Sequence, residues 1–386
     1  MSQGSLLNKN LLLYIDMVLY LYRNNKPNQS KKEEVLNNPA IKSHKTSSRP
    51  IPKRSTQGRF AATRLIPKSY QKSYQKTYQP TTRYITVPNC DNKTIPVTVV
   101  GKGEPLVLIH AYGMDAREFM PFVLPLASKY QVYLPHMRGF GLAVNTHLTQ
   151  FDFLEQYADD VNAVIEQICY RRDRESIPVA AISMGAQIMW SYFTRYGSDR
   201  VSRYLNIDQT PTTHNQGDWY GGIFGKRQPE VFEVFQELLD ASAAFEHVDD
   251  FTTLPQEYKR KTTDTERMFS LLSAGRPRSH AFIKIKTRQP EKKLAAYNSP
   301  IWKHKIRCLK AYVELPYDFR DTAEKITIPV VNLIGGRSQL YDLEHQQKTT
   351  KMIPNATEIL LPKSGHAVPL DEPLKFYKIL RDFMGG

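Results

Sequence analysis

The chain has 386 residues, enough for a buried core in one large or two medium domains, and its three cysteines, Cys90, Cys169 and Cys308, lie far apart, which excludes a disulfide framework. Its formal charge of +15 resembles a nucleic-acid signature until it is located. Residues 1–83 carry 16 Lys or Arg against Asp16, Glu33 and Glu34, a net +13, which leaves +2 for residues 84–386. The basicity belongs to an appendage, and nucleic acid is not an expected partner.

Residues 1–22 hold an apolar stretch, Leu11 to Tyr22, interrupted by Asp16. It is too short and too broken for a spanning helix. An interfacial or docking helix is the first reading and an atypical export signal the second, because the basic start is thin and no Ala-x-Ala site follows. Residues 23–80 are rich in Asn, Ser, Lys, Pro and Gln without sustained period, and are expected to be disordered. Within them Lys68-Ser69-Tyr70-Gln71 is repeated as Lys72-Ser73-Tyr74-Gln75 and Lys76-Thr77-Tyr78-Gln79. Alternating Lys and Tyr suits RNA or anionic lipid, and a solvated linker is the plainer alternative. The expectation is weak contact with an anionic membrane surface. Few cysteines suit a reducing compartment, so the expected localisation is cytoplasmic with peripheral membrane association.

Beyond residue 80 the pattern becomes regular. Tyr84 to Val87 and Ile95 to Val100 alternate like paired strands, and Pro105 to Ile109 is a continuous apolar run suited to a strand buried on both faces. There follow a helix over Arg117 to Ser128, a strand over Gln131 to Leu134, a helix over Phe151 to Tyr170, a strand over Ile177 to Ile182, a helix over Ala186 to Tyr196 and a strand over Val201 to Ile207. Such alternation means βαβ units and a parallel sheet. It stops at Asp208. Helical segments at Glu230 to Ala244, Asp264 to Ala274 and Ile301 to Val313 come next, and the alternation resumes with a strand from Ile328 to Ile334, a helix from Leu343, a strand to Leu361 and a closing helix from Pro373. The expected organisation is a core in two parts, 81–208 and 326–386, with a helical lid inserted at 209–325.

Ala181-Ile182-Ser183-Met184-Gly185 lies where a strand run meets a helix. A serine hydroxyl is a poor nucleophile until a base takes its proton, so it must be lifted clear on a tight turn, with small residues two before and two after. His110-Ala111-Tyr112-Gly113 follows the third strand, Arg138-Gly139-Phe140-Gly141 the fourth, and Ser364-Gly365-His366 the last. Asp159 and Asp160 lie on a helix and are expected to be solvated. The histidines and cysteines show no metal-ligand spacing, so neither a metal nor a cofactor is expected.

With these turns in place, residues 84–384 resemble the α/β-hydrolase family: a mostly parallel sheet flanked by helices, with the lid after the sixth strand. The resemblance implies Ser183 as nucleophile, His366 as general base and acid, and the backbone amides of Tyr112 and Met184 as the oxyanion hole. It implies a bracing role for His110. Ala111, Ala181 and His136 depart from the family's usual residues without removing a catalytic atom. The acid is open. Its common position, four residues into Gly335-Gly336-Arg337-Ser338, holds a serine, so Asp208 at the end of the sixth strand is preferred, with Asp342 as the alternative. The expected chemistry is cleavage of a small-molecule acyl ester through an acyl-enzyme. A thioesterase, an acyltransferase or a non-catalytic binding protein on the same fold is the alternative. Asp208-Gln209-Thr210-Pro211 is similar to esterase-related cofactor-free haloperoxidases, and Trp219, Tyr220, Phe224, Phe232 and Phe235 offer an apolar lid underside or lid core.

Overall fold

The computed structural model describes residues 79–90, 93–287, 298 and 301–385. The apolar segment 1–22, nearly all of the basic tail 23–80 and most of the stretch 288–300 lie outside the described residues.

Eight strands form one sheet: β1 Thr81–Thr86, β2 Thr94–Gly101, β3 Glu104–Ile109, β4 Tyr130–Pro135, β5 Ile177–Ile182, β6 Val201–Ile207, β7 Val330–Gly335 and β8 Ala356–Leu361. Their order is β1-β2-β4-β3-β5-β6-β7-β8. β2 runs antiparallel to β1 and β4; every pairing from β4 through β3 to β8 is parallel. The apolar runs explain the interior position. Leu106, Val107, Leu108 and Ile109 of β3 are fully buried, which a strand can be only when helices cover both faces.

The helices are α1 Phe153–Arg172, α2 Met184–Tyr196, α3 Gln228–Ala243, α4 Gln256–Ser273, α5 Pro277–Lys286, α6 Trp302–Glu314, α7 Arg320–Lys325, α8 Leu343–Met352 and α9 Pro373–Gly385. Segments α3 to α7 all fall between β6 and β7. α1 and α2 contribute Tyr157, Val161, Ile188 and Trp190 to the main apolar cluster against the sheet.

Three expectations need correction. The helix expected at Arg117 to Ser128 is three short turns, Ala116–Phe119, Met120–Val123 and Leu124–Leu126, because Pro121 and Pro125 withhold N–H donors and cannot sit inside a longer helix. The helix expected from Asp264 already starts at Gln256; its first turns, Gln-Glu-Tyr-Lys-Arg-Lys, carry little apolar period, and α5 was not expected for the same reason. Asp159 and Asp160 are not solvated. Asp160 is fully buried and accepts bidentately from the Arg138 guanidinium at 2.8 and 2.7 Å, while Asp159 accepts from Arg195 and Tyr196 at 2.9 and 2.6 Å. The partners come from elements remote in sequence. Arg138 also donates to Pro88 O at 2.6 Å and to Asn89 O, tying the turn after β4 to the β1–β2 connection.

Candidate active site

Parallel strands end together, so the turns after β3, β5, β6 and β8 gather at one edge of the sheet. Ser183 sits there between β5 and α2 with φ 54° and ψ −123°. That backbone is strained for a residue with a Cβ, and such strain persists only where the surroundings over-determine it. Ser183 N donates to Ile207 O at 3.4 Å, and Ser183 O accepts from Ala186 N and Gln187 N at 2.7 and 3.0 Å. The helix start is thus held by backbone, and the serine side chain makes no capping bond. Gly185 is obligatory for packing: a Cβ there would stand 2.7 Å from Ile109 O and 2.8 Å from His110 O. Its absence lets α2 lie directly against the end of β3.

Asp208 follows β6 with φ 50°, its N–H donating to Leu333 O of β7 at 2.8 Å. Its carboxylate is 1% exposed. Oδ1 accepts from Gly335 N at 2.6 Å and Gln346 Nε2 at 3.1 Å; Oδ2 accepts from Ser338 Oγ at 2.7 Å and lies 2.8 Å from His366 Nδ1. A carboxylate only accepts, so the proton of the imidazole stands on Nδ1. That leaves Nε2 with a lone pair, buried and without a hydrogen-bond partner. Nε2 and Ser183 Oγ are not hydrogen bonded to each other.

The alternative acid goes elsewhere. Asp342 is the N-cap of α8, accepting from Glu344 N at 3.0 Å and His345 N at 3.4 Å, and its carboxylate, 49% exposed, pairs with His345 Nδ1 at 3.1 Å. Ser338 and Gln346, which sequence reasoning did not single out, are the partners that hold Asp208. Ser338 carried one signal, its position where an acid was expected.

Tyr112 lies in the turn after β3, and Met184 opens α2, where first-turn amides have no intrahelical acceptor. The Tyr112 hydroxyl donates to Lys305 O of α6 at 3.0 Å, and its ring meets Phe140 and Phe269 edge-on at 5.6 and 6.5 Å. Beside them His110 is fully buried. Its Nε2 accepts from Met137 N at 3.1 Å, so Nδ1 carries the proton and donates to Ala111 O at 2.8 Å. Burial holds this imidazole below its ordinary pKa. Both nitrogens are spent on backbone, which makes His110 a brace between two turns. His136 is similar: Nδ1 accepts from Leu142 N at 3.1 Å, Nε2 lies 2.9 Å from Thr98 Oγ1, and burial lowers it to about 3.

The site has an apolar flank. The Tyr341 ring stands 5.7 Å from the His366 ring. Tyr341 and Leu340 belong to a buried cluster with Phe224, Val231 and Phe235, packed by Phe269 of α4. Phe224 and Phe235 are therefore insertion core, as is Trp219, whose indole donates to Thr212 Oγ1, while Tyr220 is 38% exposed. Among the described residues no group of three His, Cys, Asp or Glu could hold a metal ion, and no helix is long and apolar enough to cross a membrane.

A family model for the alpha/beta hydrolase fold matches residues 104–373. Curated relatives include the pimeloyl-[acyl-carrier protein] methyl ester esterases of Vibrio vulnificus (strain CMCP6), 22% identical over 285 residues covering 74% of this chain and 96% of that protein, and of Aeromonas hydrophila, 23% identical over 294 residues covering 76% and 100%. Similar solved structures include an esterase from Exiguobacterium antarcticum, with TM-score 0.58, and a bromoperoxidase from Bacillus anthracis, with TM-score 0.57; each is 19% identical and covers 79% of this chain and 100% of its own. At that identity the structural likeness speaks for the fold.

Proposed function

The chain belongs to the alpha/beta hydrolase family, and from that premise we propose that it is a serine hydrolase cleaving a carboxylic ester through an acyl-enzyme. The observation that carries the proposal is the buried pair of His366 Nδ1 and Asp208 Oδ2 at 2.8 Å, with Nε2 unpartnered, on the same sheet edge as the strained Ser183.

In this reading Ser183 Oγ attacks the ester carbonyl while His366 Nε2 takes its proton. Asp208 stabilises the imidazolium without itself becoming protonated. The tetrahedral oxyanion is received by the N–H groups of Met184 and Tyr112, dipoles already oriented before charge develops. His366 returns the proton to the departing alcohol, and water, deprotonated by the same nitrogen, frees the acid. The half-buried Phe269, edge-on to Tyr112 at 6.5 Å, supports an uncharged acyl chain. The relatives' names, esterases acting on a methyl ester, support carboxylic ester chemistry. α3 to α6 serve in this reading as a lid, and the basic tail as a weak contact to anionic membrane.

The test is hydrolysis of p-nitrophenyl esters from acetate to palmitate together with labelling by a fluorophosphonate. Turnover that depends on Ser183, with the label on Ser183, is expected. A wild-type protein that neither hydrolyses any ester nor labels would replace this reading with a non-catalytic binding protein.

A further inference from the structure

Residues 273–275, at the corner between α4 and α5, lie against the loop that carries His366. Ala367 N donates to Ser273 O at 2.7 Å. On the other side of the histidine, Gly365 packs backbone to backbone on Gly275: a Cβ on Gly275 would stand 2.2 Å from Gly365 N, and one on Gly365 2.5 Å from Gly275 N. Between them sits Asp371, fully buried. Its Oδ2 accepts from Gly275 N and from Gly365 N, each at 2.7 Å, and its Oδ1 accepts from Arg276 N at 3.2 Å. Asp371 N donates to Ala367 O at 3.0 Å, closing the turn that directly follows the histidine. Outside this core, Arg276 pairs with Glu372 and Arg278 donates to Asp371 O.

We propose that Asp371 is a positioning residue for His366: its carboxylate pins Gly365 to Gly275, so that the histidine is held by the inserted segment as well as by Asp208. The proposal rests on the assignment of His366 as the base above. The division of labour is physical. Asp208 sets which way the ring faces through Nδ1. The backbone of the histidine is set by its two neighbours: Ala367 is bonded to the insertion directly, and Gly365 through Asp371. A buried carboxylate accepting several backbone N–H groups makes charge-assisted bonds, stronger than neutral ones. It therefore outweighs the single Ala367–Ser273 bond. Displacement of the α4–α5 corner then carries Nε2 away from the serine, and small misplacements of a reacting group are costly.

The experiment compares Asp371→Asn with Glu372→Gln in the full chain. An asparagine has a single acceptor oxygen and no charge: with that oxygen in place of Oδ2 its N–H groups face Arg276 N, and the bonds to Gly275 and Gly365 lose their charge-assisted strength. Expected for Asp371→Asn is a loss of about a hundredfold in kcat with KM little changed, a shifted pH profile, and a moved or lost low-field NMR resonance of the His366 Nδ1 proton. Glu372→Gln, which weakens only the outer ion pairs, should lower Tm and leave kcat, the pH profile and the resonance as they were. Wild-type kcat, profile and resonance in a folded Asp371→Asn would overturn the proposal and leave the residue a structural one. Failure of wild type to label at Ser183 would instead sink the hydrolase reading, and the resonance would still decide the clamp. If Asp371→Asn does not fold, amide exchange in wild type decides: joint protection of Gly275 and Gly365 supports the clamp, and rapid exchange at either overturns it.

Discussion

Ser338 Oγ donates to Asp208 Oδ2 at 2.7 Å, the same oxygen that lies 2.8 Å from His366 Nδ1. The serine thus occupies the position after β7 where an acid was expected and donates instead to the carboxylate that follows β6.

That shared oxygen gives the first prediction. Asp208→Asn should lower kcat by about 10⁴, because the amide no longer holds the correct tautomer. Ser338→Ala should cost about tenfold, the low end for one hydrogen bond to a charged group. The double variant Asp208→Asn with Ser338→Asp should recover part of the loss. Asp342→Asn, remote from His366, should remain near wild type. Steady-state kinetics on one p-nitrophenyl ester checks all four; collapse in Asp342→Asn alone would reverse the assignment.

The backbone of Ser183 supplies a second. Its φ of 54° is disfavoured for a residue with a Cβ and free for glycine. Ser183→Gly should raise unfolding stability by about 1 kcal/mol while abolishing ester turnover and fluorophosphonate labelling. Urea melts of wild type, Ser183→Ala and Ser183→Gly measure it. If glycine proves less stable than alanine, the strain is not where the dihedral places it.

Histidine burial supplies the third. His136 and, on α6, His304, whose Nε2 lies 2.8 Å from Tyr157 Oη, are both lowered to about 3, mainly by desolvation, from an ordinary value of 6.5. Between those pH values the unfolded chain binds a proton at each that the folded chain does not. Stability is therefore fully present above about pH 6.5 and falls as pH drops toward about 3, each histidine adding a slope approaching about 1.4 kcal/mol per pH unit. Denaturant melts from pH 7 to pH 5, above most carboxylate titration, should show a shallower slope in His304→Gln than in wild type. Equal slopes would mean that His304 is protonated in the folded protein.

The basic tail supplies the last. Deleting residues 1–78, which precede β1 at Thr81, should leave Tm and turnover of soluble esters unchanged. Binding of the full chain to vesicles containing phosphatidylserine should be lost on deletion and weaken steeply with salt. Salt-independent binding, or binding retained by the truncated chain, would remove the tail from the account.

What the sequence by itself determined was whatever is local in the chain. Each strand of the sheet appears as an apolar or alternating run within a few residues of its observed bounds, because strand burial repeats over short windows. The turn around Ser183 is legible for a like reason: strand, small residue, serine, small residue and helix are contiguous. Pro121 and Pro125 were equally local, and reading through them cost one helix. The tertiary structure decided what depends on elements that meet only after folding. The sequence preferred Asp208 and left Asp342 open; strand order places one against His366 and the other at a helix start facing His345. Asp160 finds Arg138 across the β4 turn, and Asp371 finds Gly275 inside the inserted segment, 96 residues away. A carboxylate's role is set by which donors surround it once water has gone, and the sheet topology, not the neighbouring residues, brings those donors in.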